Sequence, residues 1–287
     1  MITVVGATGT VGKPLLQALI QAEVPLRVLT RDKQKARALW PSQAVDIVQV
    51  SFTDPQSLRQ GLLGSDQAFF AMGTNEHQVR DEFALIDAAL EAKVGHVLAL
   101  SVGGADKLAT HPVLHWHGLI DERLRNSGLS ATWLKPGTFT DTLGRVASDF
   151  VRAGAWGGFA GDGRVAAIDT RDVAAVAAKI LVQGPAQHAG KSYDLTGPTA
   201  FTMPELAREI STRIGKPVIY TQRTREEQRA VLESAGVPAL FVTILLALDD
   251  ATRHNAFGVP TQTVFELTGV QPRPVSQWIA EHAKLFG

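Results

Sequence analysis

The chain has 287 residues, 45% of them hydrophobic, enough to bury a large core as one elaborated α/β unit or two closely joined lobes. Its 28 Lys and Arg balance 28 Asp and Glu, so no basic excess exists to gather nucleic acid, and the absence of cysteine excludes disulfides, thiolate catalysis and cysteine-held metals. No charged segment precedes the first apolar run, and the richest apolar stretch, Leu240 to Leu248, is too short to span a bilayer; a cytoplasmic protein without membrane or nucleic-acid partners is expected.

Ile2 to Val5 are mostly β-branched and read as a buried parallel strand, followed by Gly6, Gly9 and Gly12 at i, i+3 and i+6. Each glycine removes a β-carbon that would obstruct. Gly6 serves a tight turn, Gly9 the approach of main-chain N–H groups to a pyrophosphate, and Gly12 the close packing of the next helix. Unpaired N–H groups and the dipole at a helix start favour an anion without a cationic side chain. A plain strand-to-helix connector can carry the same glycines. The context, an amphipathic helix through Leu15, Leu16, Leu19 and Ile20 and a second strand from Leu26 to Thr30, completes a βαβ unit and favours dinucleotide binding.

The end of the second strand is where such a fold distinguishes its two nicotinamide cofactors at the adenosine ribose. Arg31, with Lys35 nearby, offers a guanidinium to a 2′-phosphate and favours NADP(H). Asp32 would serve NAD if the strand ran one residue longer, and a solvated charge run is the plain alternative.

Further strands are expected at Val45–Val50, Gln67–Met72, His96–Ser101 and Ser130–Leu134, with helices opening at Asp54-Pro55 and spanning Asp81–Ala92. This alternation predicts an α/β fold, a Rossmann-type doubly wound parallel sheet with right-handed crossovers. Thr202-Met-Pro-Glu205 and Thr224-Arg-Glu-Glu227 have the spacing of capping boxes, and Val218–Thr221 reads as a short strand between them. Residues 1–137, with 164–198 completing the sheet, are expected to form the NADP-binding core; 138–163 and 199–287 form a smaller mixed α/β lobe on the substrate side.

Gly-Ala-Thr-Gly-Thr-Val-Gly12, Arg31, Asp54-Pro-Gln-Ser-Leu58 and Leu134-Lys-Pro-Gly137 together resemble the atypical short-chain dehydrogenase/reductase superfamily, above all its NmrA-like branch. The likeness to the bacterial quinone and triphenylmethane-dye reductases of that branch extends through Asp169-Thr-Arg-Asp172, Tyr193-Asp-Leu-Thr-Gly197 and Ala235-Gly-Val-Pro238. The resemblance implies that Gly6, Thr8, Gly9, Thr10, Val11 and Gly12 hold the pyrophosphate, Arg31 the 2′-phosphate, and Ala71, Met72 and Gly73 the adenosine side or central ribose, with Lys135 a further cofactor contact. Ser51 stands where many relatives have an adenine-contacting Asp. The superfamily's Tyr-x-x-x-Lys dyad falls on Val113 and His117, so the dyad is replaced and His117 becomes the candidate catalytic residue, as a hydrogen-bond donor to the acceptor or the nicotinamide ribose. A partly buried helix histidine bonded to backbone is the structural alternative.

Hydride addition to a simple ketone without a proton donor builds a localised alkoxide, whereas addition to a quinone or cationic dye gives a delocalised phenolate or a neutral product. The expected activity is therefore NADPH-dependent reduction of a conjugated, electron-poor small molecule. An NmrA-like NADP(H) sensor acting through a protein partner is the second reading. Phe139, Trp156 and Phe159, among glycine-rich turns after the sixth strand, are candidate walls of the substrate pocket. Phe241, Ile244, Leu245 and Leu248 form an apolar stripe suited to core or to a homodimer face. His111, His115 and His117 do not share a face, because Pro112 interrupts any helix joining the first two, so no metal is expected.

Overall fold

The computed structural model describes residues 1–41 and 45–287. Its elements alternate from the first residue: β1 (Ile2–Val5), α1 (Gly12–Gln21), β2 (Leu26–Thr30), α2 (Lys33–Leu39), β3 (Val45–Gln49), α3 (Pro55–Leu62), β4 (Gln67–Phe70), α4 (Gln78–Glu91), β5 (His96–Leu100), α5 (Pro112–Arg125) and β6 (Ala131–Pro136). After them come α6 (Thr140–Arg152), β7 (Gly157–Gly158), α7 (Thr170–Gln183), β8 (Ser192–Leu195), α8 (Met203–Ile214), β9 (Thr221–Gln222), α9 (Arg225–Ser234), α10 (Ala239–Arg253), α11 (Thr263–Thr268) and α12 (Val275–Glu281). The chain divides into two compact units: residues 1–109, 113–136 and 171–194, and residues 110–112, 137–170 and 195–287.

The first unit is built on a seven-stranded sheet of order β3-β2-β1-β4-β5-β6-β8. β1 pairs in parallel with β2 (Val4 opposite Val28) and with β4 (Val4 opposite Phe69), and β4, β5 and β6 continue in the same sense. This is the doubly wound Rossmann-type sheet that the strand and helix alternation demands. Helices cover both faces of such a sheet, so the strands read as continuous apolar runs, and all four residues of β1 are buried. Leu15, Leu16 and Leu19 of α1 are fully buried, and Leu85, Ile86 and Leu124 join Val5, Phe70 and Trp133 in one apolar cluster. Asp54 caps α3 by accepting from the Gln56 and Ser57 N–H groups, with Pro55 in the first turn.

Several boundaries differ from the sequence expectation for local reasons. α4 begins at Gln78 rather than Asp81, because the Asn75 side chain accepts from His77 N–H at 2.8 Å and the Asn75 carbonyl from Gln78 N–H at 3.1 Å, folding the preceding turn. β6 runs on to Pro136, since the backbone after β5 keeps pairing with it: Ser101 N–H donates to Leu134 O and Gly103 N–H to Pro136 O, both at 2.8 Å. β4 stops at Phe70, two residues short of the expected Met72.

In the second unit Thr202 with Glu205 and Thr224 with Glu227 form complete capping boxes at α8 and α9. The short strand expected at Val218–Thr221 is instead Thr221–Gln222, paired in parallel with Gly157–Gly158. The Ser211 hydroxyl explains the shift: it donates to the Ala207 carbonyl at 2.9 Å and accepts from Val218 N–H at 2.8 Å, and so engages a donor that a strand would pair. Trp156, Tyr220, Phe201 and Trp278 lie in this unit's main apolar cluster, with Trp156 edge-on to Tyr220 at 5.3 Å. No helix among the described residues is long and apolar enough to cross a membrane.

A β-carbon on Gly144 of α6 would stand 2.2 Å from the Trp278 ring of α12, which is 2% exposed and has little room to retreat. Gly144→Ala is expected to destabilise the fold by ~1–3 kcal/mol through overpacking, read as a lower urea midpoint at unchanged slope. A wild-type midpoint would show that the α6–α12 seam is looser than this.

Candidate functional site

The strand order reverses between β1 and β4, the point at which the carboxyl ends of a doubly wound sheet open into a ligand crevice. The turn after β1 is built for close approach. Gly6 has φ +86°, and a β-carbon there would lie 2.2 Å from the Ala71 carbonyl oxygen. At Gly12 it would lie 2.0 Å from the Gly6 carbonyl oxygen and 2.7 Å from Ala7 Cα, so α1 packs directly against the turn it leaves. Gly9 N–H donates to the Gly6 carbonyl at 2.9 Å and closes the turn. Thr8 is half-buried, Gly9 and Thr10 are exposed, and Val11 is buried as the N-cap of α1, where no side chain caps the helix and no acidic residue occupies its first turn. A glycine-lined turn with an uncapped helix start fits a dinucleotide diphosphate. Ala71 and Met72 are half-buried and Gly73 is exposed directly after β4, beside this turn.

Arg31 and Asp32 separate cleanly. Asp32 caps α2, its carboxylate accepting from Lys35 N–H at 2.9 Å, so it is engaged in holding a helix start. Arg31 sits one residue earlier at the tip of β2, exposed, its guanidinium free of the helix-capping role that Asp32 takes. Ser51, beyond β3, bonds through its hydroxyl to that of Thr53 at 3.0 Å.

A second group of polar side chains gathers at the carboxyl ends of β5 and β6. Ser101 Oγ donates to Asp121 Oδ2 at 2.9 Å, and Lys135 Nζ lies 3.1 Å from the same oxygen. Burial raises the Asp121 pKa, while the Lys135 charge and the Ser101 hydroxyl oppose that rise. His117, one turn before Asp121 on α5, is 8% exposed. Burial first, then the Lys135 charge, pushes its pKa down to about 4, so the ring is neutral. Its partner is a side chain: Gln78 Nε2 lies 3.1 Å from His117 Nε2 and donates to Glu82 Oε1 at 3.0 Å, one turn along α4. Burial lifts Glu82 to about 8, opposed by the Gln78 hydrogen bond and aided by the Asp121 and Asp81 charges. His115 faces elsewhere, its Nδ1 2.6 Å from the Lys107 carbonyl.

Motif position along the chain points to His117 and Lys135 and gives no sign of Gln78, Glu82 or Ser101. The i, i+4 spacing of Gln78 and Glu82 signals a shared helix face only if the helix starts before Asp81, and that depends on the Asn75 turn. The aromatic residues proposed as pocket walls lie in the second unit. Phe139 is half-buried at the start of α6. Trp156 and Phe159 are 6% and 4% exposed within that unit's apolar clusters, Phe159 packing with Leu232, Val242 and Leu246. On α10 the buried face runs through Val242 and Leu246, leaving Phe241 44% exposed.

Sheet order, glycine turn and the cluster at β5 and β6 define an α/β protein with a Rossmann-type dinucleotide site. The sequence profile of the NmrA-like family matches residues 1–257, and the chain belongs to that family. It is 31% identical to an NAD(P)H azoreductase of Xenophilus azovorans over all of this chain and 99% of that one. Among solved structures it is similar to an NADPH-dependent quinone oxidoreductase of Escherichia coli complexed with NADPH (TM-score 0.90, 26% identity, 98% of this chain and 99% of that one). It is also similar to the triphenylmethane reductase of Citrobacter sp. complexed with NADP(H) (TM-score 0.86, 26% identity, 99% of this chain and 100% of that one).

The cluster's charge states set opposing pH dependences. Glu82 keeps in the fold a proton that the unfolded chain releases above about 4.5, so its burial lowers stability as pH rises from about 4.5 to about 8. For His117 the folded pKa is the lower one, so its contribution is full above about 6.5 and is lost as pH falls toward about 4. Glu82→Gln, which matches the neutral carboxyl in shape, is expected to remove the alkaline loss, gaining up to ~5 kcal/mol over wild type at high pH. Urea unfolding across pH measures this. Parallel profiles for the two proteins would mean that Glu82 ionises freely in the fold.

Proposed function

We propose that this chain is an NADPH-dependent reductase that delivers hydride to a conjugated, electron-poor small molecule of the quinone or dye type. Membership of the NmrA-like family and relatives bearing reductase names support a nicotinamide-dependent oxidoreductase with NADP(H) as coenzyme. NADPH supplies the hydride when bound; the residues of this chain bind, orient and exclude water.

In this reading the main-chain N–H groups of Gly6, Val11 and Gly12, with the Thr8 and Thr10 hydroxyls, hold the diphosphate, and Gly9, its own N–H closing the turn on the Gly6 carbonyl, leaves room for the approach. Arg31 pairs with the 2′-phosphate, and Ala71, Met72 and Gly73 flank the adenosine side or central ribose. Lys135, tethered by the buried Asp121 carboxylate, faces the coenzyme as a fixed donor. Phe139, Trp156 and Phe159 are the candidates for apolar acceptor surface, Phe139 being the half-buried one of the three.

One observation carries the acceptor class: the site holds a neutral, buried imidazole where reduction of a simple ketone would need a strong acid. Neither tyrosine of the chain, Tyr193 or Tyr220, is followed by a lysine four residues on, and the Tyr193 hydroxyl lies 2.8 Å from His188 Nδ1. An acceptor that spreads the incoming electron pair over a conjugated system needs little proton transfer, and positioning in a dry site supplies most of the acceleration. His117 acts as a hydrogen-bond donor in that site.

Nicotinamide absorbance, followed with NADPH or NADH against benzoquinones, naphthoquinones, azo dyes and triphenylmethane dyes, tests the assignment. Turnover is expected with NADPH; tight NADP(H) binding without turnover of any acceptor would make the chain a sensor instead. Arg31→Ala is expected to weaken NADPH ~10- to 100-fold while sparing NADH, from the loss of a charge-assisted phosphate contact. Equal losses for both coenzymes would remove Arg31 from the 2′-phosphate. His117→Ala is expected to lower turnover with coenzyme affinity nearly unchanged, and wild-type rates would reduce His117 to scaffold.

A further inference from the structure

His117 carries one proton on a neutral ring, and which nitrogen holds it decides what the ring can do. The Gln78 amide nitrogen lies within hydrogen-bond distance of both Glu82 Oε1 and His117 Nε2, at 3.0 and 3.1 Å. Two N–H bonds on one amide satisfy both contacts if the carboxyl oxygen and Nε2 accept. Nε2 is then bare and the proton sits on Nδ1. Gln78 Oε1 and His117 Nδ1 are both buried without a hydrogen-bond partner among the described residues. Turning the amide over would leave two buried N–H donors unpaired in place of one carbonyl oxygen, which costs more, so the amide nitrogen faces Glu82 and His117.

We propose that Gln78, held by Glu82, is a positioning residue that locks His117 as its Nδ1–H tautomer, and that this orphaned N–H is the site's donor to the oxygen of a quinone-type acceptor. The proposal rests on the reductase reading and narrows its substrate class. With NADPH bound, a quinone would take the hydride at one carbonyl oxygen; both C=O π bonds open as the ring becomes aromatic, and the electron pair comes to rest on the second oxygen as a phenolate. The imidazole donates a hydrogen bond to that oxygen and keeps its proton; the phenolate takes its proton from solvent after release. A triarylmethyl cation is reduced at carbon and offers no such oxygen, so the donor favours carbonyl acceptors over cationic dyes.

The tautomer is read without coenzyme, by imidazole nitrogen NMR on the whole protein with His117 assigned through His117→Gln. Wild type is expected to show a protonated Nδ1 and bare Nε2, and Glu82→Gln, which retains the amide donor and an oxygen to accept from it, the same. Gln78→Glu replaces the donor with an acceptor and is expected to move the proton to Nε2; Gln78→Met should give a mixture. Kinetically, Gln78→Glu is expected to lose at least ~10-fold in kcat on a quinone, with KM for NADPH unchanged and triphenylmethane-dye reduction spared. A wild-type Nε2–H tautomer, or one unmoved in both Gln78 variants, overturns the positioning role. A moved tautomer with equal losses on quinone and dye overturns the donor role toward oxygen. Absence of turnover with every acceptor sinks the reductase reading and the selectivity with it, while the NMR result still decides the tautomer.

Discussion

The turn after β1 leaves no space for a side chain at two of its residues. A β-carbon at position 6 would come within 2.2 Å of the Ala71 carbonyl oxygen and one at position 12 within 2.0 Å of the Gly6 carbonyl oxygen. These approaches bring the backbone after β4 onto the backbone after β1 and set the start of α1 against both. The result is a main-chain turn at the reversal of strand order, with an uncapped helix start and no acidic residue in its first turn. Such backbone geometry suits an anion and does not depend on side chains elsewhere. Arg31 adds the part that backbone cannot provide, a planar cation at the strand tip.

Further along the same sheet edge, burial rather than charge governs the chemistry. Glu82 and His117 are each driven to the neutral form by desolvation, while Asp121 stays coupled to Lys135 and Ser101. A neutral carboxyl, a primary amide and a neutral imidazole in series carry no net charge, yet each link has a direction, because donors and acceptors must alternate. Such a chain orders a proton without moving it. That is the behaviour suited to an acceptor that accommodates an electron pair by delocalisation.

The fold was legible because its signals are local and redundant. The β-branched run Ile2–Val5, the glycine spacing and the leucines of α1 each have one economical physical reading, and β1 and β2 fall where they were expected. Legibility failed where a side chain outside the periodic pattern decided the outcome. Asn75 moved the start of α4, the Ser211 hydroxyl displaced the short strand at Val218, and continued pairing carried β6 to Pro136. Asp32 illustrates the same point at the site: only its bond to Lys35 N–H shows that the carboxylate caps a helix.

The position of His117 could be read by counting along the chain, but its charge could not. An imidazole at a Lys position invites the picture of a cation replacing a cation. The structure supplies the opposite: a ring stripped of water beside an existing positive charge, where a second charge would be unfavourable on both counts. With Lys135 already balancing Asp121, a protonated His117 would have no counter-ion of its own in the cluster. On the proposed reading the ring would therefore act as a fixed dipole rather than deliver a proton. A fixed dipole stabilises charge that appears on a neighbouring atom and gives nothing to an acceptor whose reduced atom is neutral. In the proposed reductase reading the choice of acceptor would follow from the protonation state of one buried ring, a state set by burial first and then by the Lys135 charge.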